Sequence, residues 1–110
     1  MTTAWDRYYW HAYARSPEPI SNTTASTAAT YQATGTAVDK LHEFSAAVDC
    51  YVKGGTSATV TITGSAGQYV KAGAIYLFRP VSGRESLGFK TVDGSSFSST
   101  IPATISIREP

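Results

Sequence analysis

The chain contains very little of what catalytic and metal centres are built from. Its 110 residues include one cysteine and two histidines. A single cysteine, Cys50, excludes a disulfide framework within the chain. The histidines, His11 and His42, stand far apart and lack the His-x-x-x-His or Cys-His spacing of a metal centre. We therefore expect neither a metal ion nor a cofactor.

Charge of one sign and long apolar runs are scarce as well. Nine basic and eight acidic residues give a net charge of +1, and the basic residues are scattered singly. This pattern argues against the basic surface that binds nucleic acid or an anionic membrane. No run approaches the roughly 18 apolar residues of a membrane-spanning helix, and the first residues lack the apolar core of a signal peptide. We expect no nucleic-acid partner, no membrane partner and no secretion signal.

Aromatic side chains, by contrast, are concentrated near the N-terminus. Five of them fall within nine residues: Trp5, Tyr8, Tyr9, Trp10 and Tyr13. Thr3 and Asp6 have the spacing of a capping box, and most of the rings share one face at helical spacing, which favours a short helix within residues 1–16. An extended arm is the alternative, because aromatic residues also favour strands.

Residues 1–16, which we call the aromatic segment, need a surface to be ordered. Burying five rings at about 1.5–3 kcal/mol each nearly cancels the cost of ordering about a dozen backbone residues at about 1–2 kcal/mol each. The segment should therefore be ordered only against an apolar surface, on its own domain or on another protein. Stacking on sugars is a third interpretation, and we assign the five rings as partner-binding residues.

The rest of the chain divides into two parts. Residues 17–36 form a Ser/Thr/Ala-rich stretch with Pro17, Pro19 and Gly35, which predicts a spacer; an edge strand within residues 24–32 is the alternative. Residues 37–110 carry the alternating patterns of a β-domain. The predicted organisation is thus an aromatic arm, a spacer and one β-domain.

The clearest strand signal is a hairpin pattern in the middle of the chain. Residues 48–53 alternate apolar and polar side chains, and residues 59–63 do the same. Gly54 and Gly55 lie between them and supply a tight turn. We therefore predict a β-hairpin over residues 48–63.

Turn signals recur about every ten residues after that hairpin, for example at residues 64–67 and at Asp93-Gly94. The intervening segments predict short strands at residues 68–71, 74–78, 86–92, 101–107 and near Phe97. Short strands at this spacing indicate an all-β fold, either an antiparallel β-sandwich or a small barrel.

The sequence displays no catalytic motif. It has no Gly-x-Ser-x-Gly elbow, and its acidic residues are spread over different turns and strands. His42, beside Glu43, is interpreted as a solvated strand end, and Cys50 as a small buried apolar residue. Gly64 and Gly67 fit hairpin turns better than a phosphate loop. We predict that the chain is not an enzyme; a small hydrolase would need a base near a serine or aspartate.

A family resemblance covers residues 46–107. It is carried by residues 47–55 (AVDCYVKGG), 59–62 (TVTI), 69–73 (YVKAG), 75–78 (IYLF) and 103–107 (ATISI). In this order they resemble the small β-domains of tailed-bacteriophage virion proteins.

The resemblance implies a structural protein of the virion, made in the bacterial host cytoplasm. It implies a capsid decoration or cement protein that binds the major capsid protein or another virion protein and forms a trimer or dimer. A head-tail connector, tail or fibre component is one alternative, and a carbohydrate-binding β-sandwich module is another.

Overall fold

A computed structural model describes residues 20–22 and 26–108 of the chain, and the aromatic segment lies outside these ranges. The described residues form short strands and one 3₁₀ turn, Gly35–Ala37. The strands are β1 (Ile20–Asn22), β2 (Ala28–Gln32), β3 (His42–Ala46), β4 (Cys50–Gly55), β5 (Gln68–Val70), β6 (Tyr76–Phe78), β7 (Ser86–Thr91) and β8 (Ala103–Ile107).

These strands make two antiparallel sheets, which confirms the predicted all-β sandwich. The first sheet has the order β1-β8-β3-β6 and the second sheet the order β2-β7-β4-β5. The pairs β1/β8, β2/β7, β3/β6 and β4/β5 are nested, so the chain is folded on itself as one long hairpin whose tip lies between β4 and β5. Alternate pairs fall in opposite sheets, and β3/β8 and β4/β7 complete them. This nested pairing of eight strands over two sheets is that of a jelly roll.

Aromatic rings fill the space between the sheets. The Phe44 and Phe89 ring centroids are 5.1 Å apart, and those of Phe89 and Phe97 are 5.6 Å apart. Phe97 is fully buried but belongs to a loop, where its backbone N–H donates to the carbonyl of Ser26 at 2.8 Å. The strand expected near Phe97 does not form, because this position supplies a core ring from a loop held by the segment before β2.

The predicted hairpin over residues 48–63 is wrong in its second half. Gly54 and Gly55 belong to β4 and pair with Leu87 and Ser86 of β7. Residues 59–63 form no strand. The local alternation could not reveal that the neighbours of β4 are β5 and β7, which follow later in the chain.

The predicted spacer contains two edge strands. β1 pairs with β8, and β2 pairs with β7 along all five of its residues. Residues 28–32 therefore belong to the β-domain, which corresponds to the edge-strand alternative. Ala28, Ala29 and Thr30 have small side chains, which left the spacer and the edge strand as competing predictions, because an edge strand needs less apolar surface than a central one.

Candidate functional site

The five residues predicted to bind a partner, Trp5, Tyr8, Tyr9, Trp10 and Tyr13, all lie outside the described residues. Their role stays a prediction. The surfaces on which they could act are described, and the two outer faces of the sandwich differ in chemistry.

The outer face of the first sheet carries buried polar residues at its centre. Phe44 and Ala46 point into the core, so alternation directs Glu43 outward, and Glu43 pairs across the sheet with Ser106 of β8. Outward residues are ordinarily solvated, yet Glu43 is only 6% exposed and Ser106 only 4%. This part of the face is therefore covered.

An ion pair lies on the same central area. Arg108 Nη1 donates to Glu43 Oε2 at 2.8 Å, with the two side chains 23% and 7% exposed. The Arg108 backbone N–H donates to the carbonyl of Leu41 at 2.7 Å, which fixes the start of the side chain. Among the described side chains, Arg108 Nε is a buried nitrogen that has no hydrogen-bond partner.

The margin of this face is apolar and open. Leu77 of the edge strand β6 pairs with Glu43 and is 52% exposed, and Ile75 just before β6 is 57% exposed. The outer face of the first sheet thus combines a covered ion pair with an accessible aliphatic margin.

The outer face of the second sheet is covered along β7 by residues 57–64, which we call the crossing segment. The hydroxyl of Ser86 donates to the carbonyl of Ser57 at 2.6 Å. Further along β7, Lys90 Nζ donates to the carbonyls of Ile62 and Gly64, each at 3.3 Å. Ser86 and Lys90, at two outward positions of β7, therefore hold the crossing segment in place.

Two glycines make room for the crossing segment. A Cβ on Gly88 would lie 2.8 Å from both the carbonyl oxygen and Cβ of Val60, and a Cβ on Gly55 would lie 2.7 Å from Val60 Cγ2. The backbone N–H of Val60 donates to Thr30 Oγ1 at 2.9 Å. Val60 therefore packs directly against the backbone of Gly55 and Gly88. This close packing explains why residues 59–63 cross the sheet instead of adding a strand to it.

A groove of about 260 Å³ lies between β2 and the crossing segment. It is lined by residues 28–30 and 58–61. The lining holds alanine, threonine and one valine, so it offers hydroxyl and backbone groups without a general acid or base.

An aromatic pair lies at the other edge of the second sheet. Tyr51 and Tyr69 are cross-strand neighbours with ring centroids 6.1 Å apart, and Tyr69 is 46% exposed. A hydrogen bond from the Tyr69 hydroxyl and one from the Ala72 N–H (2.8 Å) hold the pKa of Asp49 below its ordinary value of 3.8. The same bond to Asp49 raises the pKa of Tyr69. Tyr69 and Asp49 therefore interact at this edge of the second sheet, where the Tyr69 ring is exposed.

The interpretation of His42 as a solvated strand end is wrong. His42 is fully buried, and its ring lies 5.2 Å from that of Phe78. Its Nδ1 lies 2.8 Å from the carbonyl oxygen of Lys40, which can only accept, so Nδ1 donates; Nε2 lies 3.0 Å from the Tyr31 hydroxyl oxygen. Burial raises the pKa of Tyr31. Both ring nitrogens are thus engaged inside the core, and within residues 26–108 no three His, Cys, Asp or Glu side chains are grouped to hold a metal ion.

The prediction that Cys50 is a buried apolar residue is confirmed. The side chain is fully buried, and its Sγ donates weakly to the carbonyl of Val48 at 3.4 Å. Burial, with Asp49 and Asp93 nearby, raises the pKa of the Cys50 thiol to about 11. A thiol in this state is a poor nucleophile.

Sequence reasoning missed the Glu43–Arg108 pair because 65 residues separate the two partners. No helix in the described ranges is long and apolar enough to cross a membrane. Comparisons with protein-family models, with curated proteins and with solved structures gave no match.

Proposed function

We propose that the protein is a non-enzymatic structural component of a tailed-bacteriophage virion, namely a capsid decoration or cement protein. The observation that supports this proposal is the nested pairing of the strands, because jelly rolls are common in viral capsid and lectin domains. A fold alone does not determine a function. The resemblance of residues 46–107 to small virion β-domains favours the capsid role over the lectin role.

In this proposal the two parts of the chain do different work. The sandwich stands on the particle as a rigid body, and the aromatic segment buries Trp5, Tyr8, Tyr9, Trp10 and Tyr13 against a neighbouring subunit. That neighbour is the major capsid protein, another virion protein or a second copy of this chain. Because the two contacts belong to one chain, forming the first contact raises the effective concentration for the second. Exchange of such arms between copies gives a closed dimer or trimer.

The direct test is quantitative mass spectrometry of particles purified from the source. The copy number of this chain is compared with that of the main shell protein. A ratio near one per shell subunit or per capsomer is expected for decoration. A copy number that is enough only for one ring or for a few fibres would support the head-tail connector, tail or fibre alternative instead of decoration. Absence from the particles would contradict the virion role.

The role of the aromatic segment is tested by adding protein to undecorated particles. The full chain should co-sediment with them, and the double variant Trp5→Ser/Trp10→Ser should bind at least tenfold more weakly. The matched control is Tyr69→Ser, which removes an exposed ring from the sandwich. Equal binding of all three proteins would contradict adhesion through the segment.

A carbohydrate-binding module is the second candidate, and the Tyr51–Tyr69 pair favours it. An exposed ring beside a second ring is a suitable platform for stacking against a sugar face. Titration of oligosaccharides followed by the tyrosine ring signals in NMR spectra distinguishes the two roles. Saturable shifts that Tyr69→Ser abolishes would support the module, and unchanged spectra at millimolar sugar would exclude it.

A further inference from the structure

We infer that two copies of this chain associate edge to edge through β6, so that the four-stranded first sheet of one copy continues into that of the other. The partner that fits the β6 edge is thus a second copy of the chain, with its β6 antiparallel to the first. This inference is independent of the proposed function, because it requires neither a virion nor the aromatic segment.

The first argument is that the backbone of β6 has an open side. β6 is the last strand of the first sheet, and among the described strands it pairs with β3 alone. The Arg108 N–H donates to the Leu41 carbonyl, so odd-numbered residues of β3 bond to β8 and even-numbered ones bond to β6. The partners of those even-numbered residues are Tyr76 and Phe78. Leu77 lies between them and therefore directs its N–H and C=O away from β3.

The second argument is a contrast with β5, an edge strand of the second sheet. The Val92 N–H donates to the Asp49 carbonyl, so odd-numbered residues of β4 bond to β7. Tyr69, the partner of Tyr51, therefore directs its carbonyl to the open side of β5. Gln68 Nε2 donates to that carbonyl at 3.3 Å. A side chain of β5 thus occupies an acceptor that a further strand would need.

The β6 edge, by contrast, lacks the charges and prolines that protect many sheet edges from pairing. Residues 72–78 contain neither a charged residue nor a proline. Ile75 and Leu77 share the outer face and are 57% and 52% exposed. Open backbone groups and exposed aliphatic side chains therefore coincide at this edge, which favours the addition of another strand.

The third argument is that β6 is complementary to itself. A two-fold axis at Tyr76 places Ile75 of each copy opposite Leu77 of the other. Both residues direct their backbone groups to the open side, so each such pair exchanges two hydrogen bonds and brings two aliphatic side chains together. Arg79 then faces Gly73 of the second copy, so this register opposes no like charges. The occupant that satisfies both backbone and side chains is the same strand.

The size of the contact predicts a weak dimer. β6 has three residues, so the pairing buries less than the roughly 1,600 Å² of a standard interface. The half-buried rings of Tyr76 and Phe78 add apolar area on the inner side. We expect a dissociation constant of about 100 μM. The chain should therefore be monomeric at low micromolar concentration and dimeric near millimolar concentration.

The test is sedimentation velocity of the full chain from about 1 μM to about 1 mM. The weight-average mass should rise from that of one chain towards that of two. Leu77→Lys places a charge opposite Ile75 of the second copy and should raise the dissociation constant at least tenfold. The matched control is Tyr69→Lys, which places the same charge in the middle of β5 and should leave the dissociation constant unchanged. The mass of a single chain at every concentration would overturn the inference.

A second measurement uses the unchanged protein, so it holds even where a variant fails to fold. An equimolar mixture of isotope-labelled and unlabelled chains is studied by filtered nuclear Overhauser spectra. Cross-peaks between Ile75 of one copy and Leu77 of the other are expected. A dimer without these cross-peaks, or one that Leu77→Lys leaves intact, would overturn pairing through β6. The copy number in particles does not depend on this dimer, so the two proposals fail separately.

Discussion

The two outer faces of this sandwich are covered in different ways. On the second sheet, the crossing segment lies on a floor made by Gly55 and Gly88 and is held through backbone carbonyls. On the first sheet, an ion pair occupies the covered centre, and aliphatic side chains remain open at the margin. The second face is covered along β7 by chain that lies at the tip of the long hairpin, while Tyr69 stays exposed at its β5 edge. The first face stays open at its aliphatic margin.

The comparison shows two ways in which an outer face is covered. Two glycines on the second sheet admit a backbone segment, and an arginine on the first sheet pairs with a glutamate. Because Gly55 and Gly88 have no side chains, the crossing segment lies close to the sheet and fills the space above these two residues. On the first sheet, the ion pair between Arg108 and Glu43 keeps two charges at the covered centre, and the aliphatic margin stays open.

The largest expected effect comes from breaking the ion pair on the first sheet. Glu43→Gln leaves the Arg108 charge covered without its counter-ion, so the free energy of unfolding should fall by about 3 kcal/mol. Urea denaturation measures it. The matched control is the double variant Glu43→Leu/Arg108→Leu, which removes both charges and should recover most of the loss. No recovery in the double variant would contradict a covered, desolvated pair.

The second effect comes from filling the floor of the second sheet. Gly88→Ala places a Cβ about 2.8 Å from the carbonyl oxygen of Val60, so the crossing segment must move, at a cost of about 2 kcal/mol. Gly54→Ala in the adjacent strand is the control, because its Cβ meets Arg84 Nη2 at an ordinary 3.6 Å. Equal stability of the two variants in urea would show that the crossing segment is not seated on Gly88.

The third prediction uses Cys50 to report opening of the second sheet. With its pKa at about 11, only about a thousandth of the thiol is ionised at pH 8, and the side chain is buried. Iodoacetamide should therefore label the native protein at a rate limited by opening, and Gly88→Ala should label several-fold faster. Fast labelling of the unchanged protein would contradict a closed second sheet.

Acid should weaken the hydrogen bonds that Asp49 and Asp93 accept next to the second sheet. Hydrogen bonds from Tyr69 and from Ser95 lower the pKa values of Asp49 and Asp93, respectively, below 3.8. Groups with a lowered folded-state pKa stabilise the protein above their unfolded pKa, and this stabilisation is lost as the pH falls through the folded value. The urea midpoint should thus decline below about pH 4. Asp49→Asn should lower the midpoint at pH 6 and flatten the decline; an unchanged slope would exclude Asp49 as a contributor.

The smallest change in stability is expected at the open margin of the first sheet. Leu77→Ser alters a side chain that is 52% exposed, so the free energy of unfolding should change by less than about 0.5 kcal/mol. A loss above about 1 kcal/mol in urea denaturation would show that Leu77 belongs to the core.

The sequence predicted the features that depend on local pattern. The alternation around Cys50 and Val52 correctly indicated a strand with those two side chains inward. The same alternation at Val60 and Ile62 led to a wrong strand prediction. A local pattern does not show that β4 pairs with β5 and β7, which follow later in the chain. The sequence pattern did not indicate β3, because the polar side chain of His42 occupies an inward position where an apolar residue is expected.

The candidate site was the least predictable part from sequence. Glu43 and Arg108 meet because β3 and β8 are neighbours in the first sheet, and nothing in the residues around either one indicates that pairing. What the sequence did indicate was the need of the aromatic segment for a surface.

The most direct test of the account is a nuclear Overhauser measurement on the full chain at a concentration where it is monomeric. Cross-peaks are expected from the side-chain protons of Val60 to the Hα protons of Gly55 and Gly88, because the crossing segment lies directly on those two glycines. A folded protein without these cross-peaks would contradict the seating of the crossing segment on the second sheet.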